Sequence, residues 1–89
     1  MNIVEAVRLF CAENDEKYSM YENYSGRFMF GRKCVGIVVR HGCSYMEMLV
    51  KLTMFLQNCG IESVESKLED VKTDELGLDK IVYFPKIAS

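Results

Sequence analysis

The chain has no tryptophan, one proline and one histidine, and its longest apolar run is Cys34-Val35-Gly36-Ile37-Val38-Val39. Each scarcity excludes something. A single proline, with 49% apolar and 27% charged residues, lies outside the composition of disordered or low-complexity chains, so a packed globule is expected. The apolar run is far shorter than the roughly 20 residues of a membrane-spanning helix. Glu5 and Arg8 interrupt the hydrophobic start before a secretory h-region can form. The expected address is therefore cytoplasmic, with no membrane contact. There Cys11, Cys34, Cys43 and Cys59 stay reduced, and the sequon Asn23-Tyr24-Ser25 is not glycosylated.

One histidine forbids a two-histidine metal site within the chain. Cys34, His41 and Cys43 could converge only if a turn folded back on its strand, and neither C-x-x-C nor C-x-x-x-C occurs. No P-loop, G-x-G-x-x-G, H-E-x-x-H or G-x-S-x-G is present either. Neither metal nor cofactor is expected. Cys43 is the one chemical candidate, placed before a helix start with Arg40 and His41 nearby in sequence, an environment that lowers a thiol pKa. Buried, unreactive cysteine is the commoner fate, and the expectation is a protein that is not an enzyme.

What is present suits one α+β domain spanning residues 1–89. Asn2 and Glu5 form a variant capping box ahead of Ile3, Ala6, Val7, Phe10 and Cys11, whose spacing predicts a helix from Ile3 to Ala12. Strands are expected at Tyr18–Glu22, Arg27–Phe30 and Cys34–Arg40 as an antiparallel meander. The third of these is apolar on both faces, the mark of a central strand. Ser44 and Glu47 make an S-x-x-E box for a second helix ending at Gly60. Ile61, Val64, Leu68 and Val71 suggest a short third helix, and Lys80–Phe84 a last strand stopped by Pro85. The predicted fold is a four-stranded, mostly antiparallel sheet with two main helices, in the order α-β-β-β-α-(α)-β. The last strand is expected beside the third and parallel to it through a right-handed crossover, or else beside the first.

The second helix carries more apolar surface than one core requires. At about 100° per residue, Tyr45, Met48, Leu49, Leu52, Phe55, Leu56 and Cys59 fill a sufficient core arc. Met46, Val50 and Met54 lie on a second arc, leaving Glu47, Lys51 and Asn58 as a narrow solvated stripe. Methionine-bearing surface adapts readily to a partner; alternatively another helix of the same chain covers it.

Eleven Lys+Arg against thirteen Asp+Glu give a net charge of −2, which argues against gripping a duplex by bulk charge. The charge is nevertheless segregated. Arg27, Arg32, Lys33 and Arg40 face no acid between Tyr24 and Cys43, whereas seven acids meet two lysines between Gly60 and Asp79. The basic pole, interleaved with Tyr24, Phe28 and Phe30, admits single-stranded RNA or nucleotide binding through Tyr24, Arg27 and Arg32, but its order does not match the RNP1 pattern. The acidic pole could imitate nucleic-acid phosphates, or simply keep the domain soluble.

The segments Tyr21-Glu22-Asn23-Tyr24-Ser25-Gly26-Arg27-Phe28-Met29-Phe30-Gly31-Arg32-Lys33-Cys34-Val35-Gly36-Ile37 and Gly77-Leu78-Asp79-Lys80-Ile81-Val82-Tyr83-Phe84-Pro85 resemble small accessory proteins of phages and mobile elements from gut Firmicutes. The resemblance implies no activity for any residue. Its context implies an accessory role, among which inhibition of host defence, as by anti-CRISPR proteins, is frequent. The expected function is a non-enzymatic interaction protein that binds a protein partner and self-associates. The expected contacts are Met46, Val50 and Met54 together with Arg27, Arg32 and Lys33.

Overall fold

All six residues of the run Cys34–Val39 are buried, with strands on both sides of the run and both helices over one of its faces. The computed structural model describes residues 2–25, 30, 32–61, 66–72 and 78–86. In chain order they form α1 (Ile3–Glu13), β1 (Tyr18–Tyr24), β2 (Cys34–Val39), α2 (Tyr45–Asn58), β3 (Lys67–Val71) and β4 (Asp79–Pro85). The four strands make one antiparallel sheet in the order β1-β2-β4-β3.

Both helices are fixed by the signals that announce them. The Asn2 carboxamide oxygen accepts from the Glu5 amide at 2.9 Å, which satisfies one orphan donor of the first turn of α1, and its NH₂ donates back to the Glu5 carboxylate at 3.2 Å. Ser44 Oγ accepts from the Glu47 amide at 3.2 Å at the start of α2. At its end the Ile61 amide donates to the Leu56 carbonyl at 2.8 Å and the Gly60 amide to Gln57 at 3.0 Å. Gly60 has φ +80, so this is a Schellman stop with glycine in the left-handed region. Ile61 then returns to the core beside Phe55 and Leu56.

One sheet face and the two helices enclose the main core. Ala6, Val7 and Phe10 of α1 and Met48, Leu52 and Leu56 of α2 pack on Tyr18, Val35, Ile37, Val39, Val82 and Phe84. Phe10 anchors the junction, stacked on Tyr18 at 5.7 Å and edge-on to Phe55 at 5.6 Å. The other face holds a smaller cluster of Cys34, Val38, Ile81 and Tyr83 with Tyr24 and Val71 against it.

Three expectations are corrected or fall elsewhere. Leu68 and Val71, assigned above to a short third helix, lie in strand β3, while Val64 is outside the described residues. The cause is β4: Ile81, Val82, Tyr83 and Phe84 are all buried, so this strand needs a hydrogen-bonded neighbour on each side, and the acidic segment supplies one. With β3 inserted after α2 the chain reverses once more, and β4 runs antiparallel to β2 rather than parallel. The expected strand Arg27–Phe30 falls mostly outside the described residues; Phe30 itself is exposed, with φ 50, and belongs to no strand.

Gly36 sits where a side chain has no room. A Cβ there would lie 2.6 Å from Ile81 Cδ1 and 2.9 Å from Cγ1, and Ile81 is fully buried. Gly36→Ala is predicted to cost about 1–3 kcal/mol in overpacking, partly offset by about 0.5–1 kcal/mol of strand propensity. A urea midpoint equal to or above wild type would show that Ile81 repacks freely.

Candidate docking surface

The core needs of α2 are met by one side of the helix. At about 100° per residue, Val50 lies roughly opposite Met48, Leu52 and Cys59. Met46 and Met54 flank it by about 40° on either side, one turn below and one above. Thr53 and Leu49 extend the apolar surface at about 60° and 100° on one side, while Glu47 and Lys51 stand at the same angles on the other. Met46, Val50 and Met54 are 57%, 60% and 61% exposed. Neither α1 nor any other described element covers them.

Together with Leu49 and Thr53 these side chains line a shallow groove of about 280 Å³. The Thr53 hydroxyl does not add polarity to it, because it donates to the Leu49 carbonyl of its own helix at 2.7 Å. A metabolite site combines concavity with a few convergent polar groups that set orientation. This groove lacks them and suits apolar side chains of another macromolecule.

The charged rim is ordered. Glu47 accepts from Lys51 at 3.1 Å and from Lys17 at 3.4 Å. The hydrogen bond from Lys51, with the charges of Lys17 and Lys51, holds the Glu47 carboxyl below its ordinary pKa; the same bond raises the Lys51 ammonium. These groups are solvent-exposed and contribute little to folding.

The other sequence-level candidates are placed differently. Arg27 lies outside the described residues; Arg32 is half-buried and Lys33 exposed. Tyr24 is committed to the fold: its ring contacts Tyr21 at 5.5 Å and Tyr83 at 4.9 Å, and its hydroxyl donates to Glu69 at 2.8 Å. Both its stacking surface and its polar tip are engaged, so it makes a poor platform for a nucleobase. Three carboxylates of the acidic pole also serve the fold. Glu69 holds Tyr24, Asp70 pairs with Lys80 at 2.9 Å, and the buried Asp79 accepts from the His41 amide at 2.7 Å and lies 2.9 Å from its Nδ1. The Asp79 contact, which pins the turn after β2 to the start of β4, had no signal in local sequence spacing.

Among the described residues no three His, Cys, Asp or Glu side chains converge as a metal site, and no helix is long and apolar enough to cross a membrane. Cys11 and Cys34 are buried, Cys43 and Cys59 half-buried. Compared with protein-family models, curated proteins and solved structures, the chain matches none.

Tyr24→Phe keeps the ring packing and removes the bond to Glu69, with an expected loss of about 1 kcal/mol in urea unfolding; an unchanged midpoint would show that the bond contributes nothing. Burial pushes the Cys11 thiol from 9.0 up to about 11. Between those values the unfolded chain has released a proton that the native state retains, so this residue's contribution to stability is intact below about pH 8 and declines as pH rises toward 11. The stability advantage of wild type over Cys11→Ala should narrow over that range; a constant gap would contradict the assignment.

Proposed function

We propose that the protein is a non-enzymatic interaction module whose docking surface is the outward face of α2. The observation that carries the reading is the uncovered Met46–Val50–Met54 row above an apolar groove, in a domain whose core is already filled from the opposite side of the same helix. A small domain gains nothing for its own stability from three large apolar side chains in water, and such surfaces mark contact sites. Unbranched methionines allow the contact to adapt. In the cellular setting suggested by its resemblance to phage and mobile-element accessory proteins, this module would act by occluding a protein partner, a host-defence component being the proposed kind. The nucleic-acid alternative gains no support from Tyr24, whose ring and hydroxyl are engaged within the domain.

Replacing Thr53 with a photoreactive benzoyl-phenylalanine tests this in producing cells. Irradiation is expected to give discrete protein adducts, which are lost when Val50→Asp is added and absent when the same group replaces the exposed Glu16. Absence of any adduct from position 53 would refute the reading. Val50→Asp itself should change unfolding stability by no more than about 0.5 kcal/mol, because the site is solvent-facing; a larger loss would show that Val50 serves the fold.

A further inference from the structure

We infer that the occupant of this face is a second copy of the same chain, with its α2 lying antiparallel to the first across a two-fold axis beside Val50. The inference rests on the docking surface proposed above and adds its partner and geometry. The exposed row reads the same in both directions: Met46, Val50 and Met54 are spaced by four residues, with valine at the centre. A row at i, i+4, i+8 drifts only about 40° per step around the helix, so all three side chains can line one contact along it. A two-fold interface brings each residue's patch against the same patch of its copy. With the axis at Val50, Met46 of each chain meets Met54 of the other, and the central valines face each other.

The charges fit the same arrangement. Antiparallel two-fold packing keeps the Glu47 and Lys51 rims of both copies on one side of the interface. At 1.5 Å rise per residue, Lys51 of one copy stands about 3 Å along the axis from Glu47 of the other. Around the rim the order becomes Glu47, the partner's Lys51, Lys51 and the partner's Glu47, so each carboxylate lies next to a cation of the opposite copy, and the two lysines that meet at the centre are flanked by carboxylates on both outer sides. The opposite rim, Leu49 and Thr53, is uncharged. Parallel pairing would send the two charged rims to opposite sides and lose these cross-contacts, and it would align rather than oppose the two helix dipoles. Three side chains about three-fifths exposed offer far less than the roughly 800 Å² per partner of a standard stable interface. The dimer is therefore weak and concentration-dependent, in the micromolar to sub-millimolar range.

Sedimentation equilibrium over that range of concentration should show a monomer–dimer equilibrium, abolished by Val50→Asp in a protein whose circular dichroism matches wild type. Lys51→Glu should weaken association about fivefold, and the charge swap Glu47→Lys with Lys51→Glu should recover it. Orientation is read separately by oxidising mixed variants that each carry one introduced surface cysteine on Cys43→Ser, Cys59→Ser chains, whose remaining Cys11 and Cys34 are buried. Met46→Cys should crosslink to Met54→Cys faster than either crosslinks to itself. A wild-type protein that remains monomeric at millimolar concentration overturns the inference, as does preferred Met46→Cys self-crosslinking. The photoadducts from position 53 separate the two readings: adducts of twice the chain mass support both, whereas adducts only of other masses from a monomeric protein leave the docking surface standing and remove the self-pairing.

Discussion

Two adjacent strands that are apolar on both faces dominate this structure. β2 is buried along its length and β4 from Ile81 to Pro85, and the two pair through six consecutive positions, so each needs a strand on its far side and cover above and below. β1 and β3 meet the first need and the two helices half of the second. Each large side chain sealed in this way contributes about 1.5–3 kcal/mol of transfer free energy, which makes the central pair the main source of stability in so short a chain. The helices are recruited to that pair. Because one sheet face can seat only one side of α2, the opposite side of that helix is left in water.

The second sheet face is closed by a different device. The ladder between β1 and β2 is in regular register from Tyr18 to Tyr21 and then shifts, so that Tyr24 pairs with Cys34. Side chains alternate along a strand, and this shift puts Tyr24 on the same face as Tyr21, with which it makes an edge contact. From there Tyr24 lies against Tyr83 and its hydroxyl reaches Glu69 on β3. One side chain thus ties the two opposite edges of the sheet across β2 and β4. The close approach of Ile81 to Gly36 belongs to the same economy: a strand without a Cβ at that point lets its neighbour's side chain lie flat in the cluster.

Much of this was legible in the sequence because it depends on local chemistry. The caps at Asn2, Ser44 and Gly60 located both helices, and the lack of polar alternation in Cys34–Val39 placed β2 inside the sheet. The same argument applied to Ile81-Val82-Tyr83-Phe84 would have placed β4 there too and demanded a strand beyond it. Yet the three- and four-residue spacing of Ile61, Val64, Leu68 and Val71 also fits a helix. An edge strand with one polar flank shows so few apolar positions that the two periods cannot be separated over five residues. The surplus on α2 was legible as a count of apolar positions. Its exposure was a tertiary fact, since a third helix could have covered it. The His41–Asp79 and Tyr24–Glu69 contacts join residues 38 and 45 positions apart, and no local pattern encodes such pairs.

The sheet edges favour association through a helix. A sheet of four strands presents two rows of unpaired backbone groups, and such rows invite pairing with another chain. In β3 the row is short and carries Lys67, Glu69 and Asp70, charges that penalise a neighbouring copy. In β1 the register shift near Tyr24 disrupts the flat geometry that a further strand would need, and Arg8 of α1 reaches Glu22 at 3.1 Å beside that edge. Both edges are blunted by features the fold uses elsewhere. The outward face of α2 has no comparable guard over Met46, Val50 and Met54: its ion pairs stand to one side, and its one hydroxyl within the groove is turned back on its own helix. Where a small protein protects its sheet edges and leaves a row of large apolar side chains bare, the bare row is the surface on which contact costs least.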